Sequence, residues 1–410
     1  MTAPGPGPSA PGGGRASWSA ILVAIAGFSA MLVSGAVWGS FSLFLVAIER
    51  DTGWSKTAIS LAFTVFTLAG TLAVPVIGLA LGRFGSRIVV AVLGTILALG
   101  LALGSLSRDP VAYYLTFGLV GGIGSQACGT YVLFIIAANW FRRQATAMAF
   151  MDSGSGIGTL IALPLLQEVI AARDWRSAYV ALAIAAVAVL LPLSALLRLS
   201  PEPMAPRQGE SASLRAGIQA ILGDGLLRWL AVIFLTAPLA YHAINAHQIA
   251  FMQEGGLDAD LSVAIVSAMG LTFFFARLAL GALIDAKGIR FAEIVIALAA
   301  TAAVGILLAV ATTSSETLAV VYPIVFAIGY SSTGIIYAAT ARAMVQGAAF
   351  TVVYATLRLI YGLGVAFGPP LTALIAEGTG NYVIAFVVVW LIVAANHGIF
   401  IAVLTRHGRR

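Results

Sequence analysis

Twelve apolar runs, each 20 residues or longer, follow one another along the 410 residues of this chain. A helix needs roughly 20 residues to cross the hydrocarbon core of a bilayer. In lipid, helices satisfy every backbone N–H and C=O within the segment itself. The runs lie at roughly 18–48, 54–80, 88–107, 111–138, 145–171, 176–198, 229–253, 259–284, 291–313, 317–341, 347–376 and 381–404. Only 9% of the residues are charged, against about 25% in soluble domains. No water-facing shell can be assembled from so few, so the chain reads as an all-α membrane protein with twelve transmembrane helices.

The charges outside the runs orient the chain. Fifteen of the 22 Lys and Arg residues fall on one set of connections, and five fall on the other: Arg50, Lys56, Arg108, Arg173 and Arg176. The positive-inside rule puts the fifteen-charge side in the cytoplasm, and an even number of crossings then puts both termini there. The expected organisation is a disordered, Pro/Gly-rich cytoplasmic tail at 1–17 and an N-terminal six-helix bundle at 18–198. A polar cytoplasmic linker follows at 199–228, then a C-terminal six-helix bundle at 229–404 and a short cytoplasmic tail at 405–410. The run from Trp18 to Ile48 is too long for the apolar part of a signal peptide. The net charge of +6 is spread over short loops beside apolar segments, which argues against a nucleic-acid partner. Arginine outnumbers lysine 20 to 2, which points to a GC-rich bacterial source and to the cell inner (plasma) membrane.

The halves repeat each other weakly. GLALGRFGSR (78–87) and GALIDAKGIR (281–290) share Gly-x6-Gly-x-Arg at an offset of 203 residues, and GSGIG (154–158) and GLGVA (362–366) share Gly-x-Gly. Two six-helix repeats with a site at their interface is a transporter architecture.

Two cations lie inside the runs. Arg277 and Arg358 are each the sole charge of a membrane-length segment, 262–284 and 348–375. A charge at mid-bilayer costs at least ~2.5–3.5 kcal/mol on insertion scales, so such a residue faces a water-filled cavity, a partner charge or an anionic ligand. Arg277 lies ~12 Å from Asp285 along its helix, and Arg358 ~17 Å past the start of its own. A guanidinium donates two parallel hydrogen bonds to a carboxylate. Two cations facing one cavity make an anion site, and a dianion fits them better than a monoanion. Asp152, in MAFMDSGSGIG, reads as the one acid well inside a run, ~15 Å from Arg142 and level with Arg277. It either pairs with an arginine when the site is empty or carries a coupling proton; helix packing beside Ser153 and Ser155 is the plainer alternative. Tyr330, Tyr337, Tyr131 and Tyr361 are candidates for orienting a small anion, though tyrosines also serve as packing residues.

Over nearly its full length the chain resembles the major facilitator superfamily. The stretch Gly78-x3-Gly82-Arg83-Phe84-Gly85-x-Arg87 is similar to that superfamily's signature between helices 2 and 3, with Gly82 where the usual residue is Asp. The second copy, Gly281-x3-Asp285-x2-Gly288-x-Arg290, keeps its acid. Within the superfamily, the chain resembles the monocarboxylate transporter and oxalate:formate antiporter group in WGSFSLFLVAIERDTGWSKTAISLAF (38–63), NWFRRQATAMAFMDSGSGIG (139–158), HQIAFMQEGGL (247–257) and GLGVAFGPPLTALIAEGTGNYVIAF (362–386). The resemblance implies that Arg277 binds the substrate carboxylate and that Arg358 stands where the oxalate exchanger has a second basic residue. Phe273 occupies the position of the acid that monocarboxylate members place one turn before the helix-8 arginine, so their proton relay does not carry over.

Other chemistries find little support. The single cysteine, Cys128, excludes an internal disulfide, and His242 and His247 are five apart, which is not the three-or-four spacing of one helical face. GGIGSQACG (121–129) lies inside an apolar run with no preceding strand, so it fails the context of a dinucleotide loop. No ATP-binding motif, metal cluster or nucleophile–base constellation appears, so neither a cofactor nor an enzymatic activity is expected. The reading is a monomeric secondary transporter of small mono- or dicarboxylates, working by alternating access with a proton or a counter-anion as coupling partner. A proton-coupled drug or cation exporter of the same fold is the alternative, but it calls for a cavity dominated by acids and aromatics.

Overall fold

The computed structural model describes residues 15–129, 132–133, 141, 144–196, 214–330, 333–345 and 348–407. Tyr131 and most of the two tails and the linker lie outside the described residues, as do Arg142 and Arg143. The elements, in chain order, are α1 (Arg15–Gly39), α2 (Phe41–Thr52), α3 (Lys56–Gly104) and α4 (Pro110–Tyr113). A π-helix (Tyr114–Gly121), α5 (Gly122–Gly124) and a 3₁₀ turn (Ser125–Cys128) follow. Then come α6 (Gln144–Ala172), α7 (Trp175–Leu196), α8 (Leu214–Gly223), α9 (Gly225–Glu254), α10 (Ala259–Lys287) and α11 (Ile289–Thr313). The last are α12 (Glu316–Tyr330), α13 (Thr333–Met344), α14 (Ala348–Thr379) and α15 (Tyr382–His407). Among the described residues every regular element is helical, and nine stretches are long and apolar enough to cross a membrane.

The molecule is a multi-pass membrane protein. Its periphery carries Leu72, Leu79, Leu106 and Leu298, each about 70% exposed. A surface this apolar over such an area belongs in lipid rather than water. Polar caps mark where helices meet the interface. Ser55 accepts from the Ala58 N–H at the start of α3, Asp109 caps α4, and Asp224 and Asp258 cap α9 and α10. Each oxygen satisfies an amide that the first turn leaves without a partner.

Several boundaries depart from the hydropathy pattern. The first run is divided at Ser40, which lies between α1 and α2. The second and third runs lie on either side of a non-helical bend at Gly85 within α3, so that α3 is two helices meeting at that bend. Residues 214–223, inside the stretch expected as a linker loop, form a helix that packs on α14 and buries Ile221. Hydropathy registers the length of an apolar stretch, not where its backbone changes direction.

The bend at Gly85 has a counterpart. Its φ of 78° and ψ of 162° are matched by φ 82° and ψ 165° at Gly288, 203 positions later. The two Gly-x-Arg copies therefore share one backbone conformation as well as one sequence pattern. This corner of φ/ψ space is essentially reserved for glycine. Nothing lies within 4 Å of a β-carbon built on either residue, so strain alone opposes substitution.

The elements before and after the 197–213 stretch meet through α2 against α9, α3 against α14 and α6 against α10. Gly156 and Gly270 face each other so closely that a β-carbon on either would overlap the other's carbonyl oxygen. Small residues of this kind let membrane helices approach. Gly85→Ala and Gly288→Ala should each destabilise the fold by about 1–3 kcal/mol. Chemical-denaturant midpoints in detergent check this, and because the sites do not touch, the double variant should show the sum of the two effects.

Candidate functional site

The close contacts between the two parts concentrate near one end. Lys56 Nζ lies 3.7 Å from Glu49 Oε1 and 3.5 Å from Glu254 Oε2, and stands 4.4 Å from the centre of the Tyr382 ring. The backbone N–H and the hydroxyl of Thr57 donate to the two oxygens of Glu377, at 2.8 and 2.7 Å. Arg50 donates to Gln253, and Gln167 to Asp260. Deeper, His247 is fully buried: its Nε2 donates to the Pro369 carbonyl at 2.9 Å, with Ser60 at 3.4 Å, and its Nδ1 pairs with the Tyr382 hydroxyl at 2.8 Å. Thr64 donates to the Ala366 carbonyl. Exposed ion pairs are worth little singly. Here they form one connected latch, with buried hydrogen bonds behind it.

The charged pair lies on the far side of this latch. On α6, Asp152 follows Gln167 and Gly156 towards the opposite end, and on α10, Arg277 follows Asp260 and Gly270 in the same direction. Arg277 Nη1 donates to Asp152 Oδ2, joining the two parts of the chain at that level. Each side chain keeps 32% exposure, so the pair sits in neither a sealed core nor open water. Tyr330 closes the group: it hydrogen-bonds to Asn245 and lies within electrostatic reach of Arg277, Asp152 and Tyr361. Phe273 stacks obliquely on Tyr330, with ring centres 5.3 Å apart. Trp38, from α1, meets His242 edge-on at 6.1 Å.

Arg358 is exposed, its guanidinium 4.7 Å from the centre of the Tyr361 ring. A cation over an aromatic face gains attraction without surrendering its charge. Tyr361 lies within electrostatic reach of Tyr330, which relates the Arg358 group to the Arg277 group. Tyr337 is placed differently. It is 2% exposed and packs between Phe234 and Phe400, behind this group. Of the signature residues, Arg83 is exposed beside the Phe84 ring, and Asp285 lies in the last turns of α10. Gly78 lies within α3, ahead of Gly85 and the half-buried Arg87. Arg290 is exposed just beyond Gly288.

Sequence reading misses several participants. Asn245, Trp38 and His242 carry no signal beyond being polar or aromatic in an apolar run. Asp152 is not the lone buried acid: Glu293 is 2% exposed inside α11 and bonded to His397. Its position three residues after Arg290 makes it look like an interfacial residue.

The chain is similar to known membrane transporters. The family model described as Major Facilitator Superfamily matches residues 24–369. Monocarboxylate transporter 13 of Bos taurus is 25% identical over 407 residues, covering 94% of this chain and 89% of its own. Monocarboxylate transporter 11 of Homo sapiens is 30% identical over 220 residues, 52% of this chain and 45% of its own. Among solved structures, the nucleoside transporter NupG superposes with a TM-score of 0.74 at 15% identity, covering 96% of this chain and 99% of that one. A bacterial homologue of the human lysosomal transporter Spinster, in an inward-facing and unoccupied conformation, gives 0.67 at 14% identity, with 96% and 95% covered.

The latch makes a direct prediction. With Cys128→Ser as background and His242→Cys as reporter, an impermeant thiol reagent applied from the Lys56 side should label slowly. Adding Glu377→Gln, which weakens the acceptor for both Thr57 donors, should raise that rate several-fold. An unchanged rate would mean that other contacts hold the seal.

Proposed function

The chain belongs to the Major Facilitator Superfamily, and from that premise we propose that it is a secondary active transporter of small organic anions. In this reading it carries mono- or dicarboxylates by alternating access. The observation that carries it is the Arg277–Asp152 pair, a guanidinium already holding a carboxylate where the two parts of the chain meet. A substrate carboxylate presents the same oxygens in the same geometry and competes with Asp152 for Arg277. Once displaced, Asp152 either takes a proton, giving symport, or returns to Arg277 after release, giving exchange. Tyr330 orients the bound anion. Arg358, with Tyr361, adds the second cation that a dicarboxylate needs; Tyr131 and Tyr337 are secondary candidates. A cation-lined site lowers the electrostatic penalty of carrying an anion through a low-dielectric interior.

The architecture we assign is twelve helices in two six-helix bundles, 18–198 and 229–404, linked through 199–228, with both termini cytoplasmic in the inner membrane. The matched backbone at Gly85 and Gly288 supports the repeat. The excess of basic residues on that side supports the orientation. The closed end then faces outward and the site opens inward. No carbon-bond chemistry is involved; the protein is a carrier, as its relatives are.

The test is a thermal-shift panel of oxalate, malonate, formate, lactate, pyruvate and cationic drugs on purified protein. A ligand that binds only the folded state stabilises it by mass action. A carboxylate should raise the melting temperature of the wild type and leave Arg277→Ala unmoved; stabilisation by cations alone would favour the exporter reading and reject this one. In proteoliposomes, Arg277→Ala should abolish anion uptake. Arg358→Ala should lose dicarboxylates selectively, and equal loss of mono- and dicarboxylates would remove its ligand role. If Asp152 carries the coupling proton, Asp152→Asn flattens the pH dependence of uptake; an unchanged profile excludes Asp152 as the proton carrier.

A further inference from the structure

Behind the candidate site lies a buried polar chain that the transport reading does not use. His397 Nδ1 is 2.7 Å from Glu293 Oε1, and His397 Nε2 is 2.8 Å from the Tyr241 hydroxyl. Tyr241 in turn donates to the Gly329 carbonyl at 3.0 Å. The four residues come from α11, α15, α9 and α12, and Glu293, His397 and Tyr241 are 2–3% exposed. Gly329 lies on α12 next to Tyr330, and its carbonyl takes the Tyr241 hydroxyl as a donor.

Counting hydrogens gives the chain a function. A tyrosine has one hydroxyl proton and a carbonyl can only accept. While Tyr241 donates to Gly329, the bond between Tyr241 and His397 must use a proton on Nε2. The bond between His397 and Glu293 needs a second proton, held on Nδ1 or on the carboxyl. The Glu293–His397 pair therefore carries two protons and is net neutral. Remove one, and Nδ1–H can still donate to the Glu293 carboxylate, but Nε2 is bare. The Tyr241 hydroxyl must then turn to donate to Nε2, and the Gly329 carbonyl loses its donor.

We infer that the Glu293–His397 pair is a proton-binding site and that Tyr241 reports its occupancy to the cavity wall through Gly329. The next residue along α12 is Tyr330, which hydrogen-bonds to Asn245 and lies beside Arg277 and Asp152. The Tyr241 and Tyr330 rings also touch edge-on, 4.8 Å apart. Release of the Gly329 carbonyl therefore acts next to Tyr330, at the edge of the candidate anion site. Glu293 is the fifth residue of α11, ~6 Å along the helix from its start, so protons have a short route from the Gly288 end. The titratable groups facing the chain are Tyr330 on α12, Tyr337 on α13 and Tyr361 on α14. The Tyr337 hydroxyl is buried without a hydrogen-bond partner among the described residues, leaving a second hydroxyl beside the pair.

The inference deepens the carboxylate reading by naming the coupling ion, yet its chemistry is testable without substrate. The full chain, labelled with ¹⁵N-histidine in lipid bilayers, is titrated by solid-state NMR, with His397 identified by the signals that His397→Gln removes. The expected result is one step in which Nε2 loses its proton while Nδ1 keeps one. In Glu293→Gln the pair loses its anionic member, so the wild-type step should not survive in place. A His397 that holds one state from acid to alkali, or a step that Glu293→Gln leaves in place, overturns the proposal. A second arm loads proteoliposomes with a pH-sensitive dye and applies formate, oxalate and lactate gradients. Anion uptake that carries protons in the wild type but not in Glu293→Gln supports the assignment; proton movement kept in the variant overturns it. If the wild type takes up none of the three anions, the carboxylate reading fails while the NMR titration still decides the proton site.

Discussion

Placing a charge in a low-dielectric slab is expensive, and removing the partner of a buried charge is more expensive still. The charged groups in this molecule are arranged around that constraint. Arg277 has Asp152, Glu293 has His397, and Lys56 stands between Glu49 and Glu254. Two of these groupings join the early part of the chain to the late part. Such contacts cannot separate without leaving a charge uncompensated, unless something else takes the partner's place. For Lys56 at the rim, that substitute is water. For Arg277, deeper and only a third exposed, the proposed substitute is an anion, which would tie movement of the two parts to occupancy of the site.

The levels of the contacts give this a direction. Latch, buried histidine and facing glycines occupy one end, and Arg277, Asp152 and Tyr330 lie beyond them. The Glu293–His397–Tyr241 chain is then the third layer, wholly within the later helices. It meets the candidate site at Gly329 and Tyr330 on α12, through the hydrogen bond to the Gly329 carbonyl and the edge of the Tyr330 ring.

Much of this was legible in the residues. Arg277, Arg358 and Asp152 stand out because charge is rare in apolar runs, and the Gly-x6-Gly-x-Arg repeat anticipates the shared backbone of Gly85 and Gly288. Other features were not legible. Glu293 follows a loop arginine and reads as interfacial, while His397 and Tyr241 are ordinary singly and become a chain when three helices converge. The helix at Leu214–Gly223 is hidden by its polar, Pro-bearing surroundings, and the division at Ser40 by the unbroken hydropathy across it.

The sequence by itself determined that the chain lives in lipid, that its crossings are helical, and which few side chains lie too deep to be ordinary surface charges. These follow from composition and run length, because the cost of exposing backbone or burying charge in hydrocarbon depends on residue type and depth alone. Only the tertiary structure decided which charge meets which: that Asp152 answers Arg277, that Arg358 rests on Tyr361, that His247 bridges the closed end, and that Glu293, His397 and Tyr241 form one chain. Pairing needs atoms within about 3 Å, and that proximity is set by the packing of helices far apart in sequence, which no local pattern encodes.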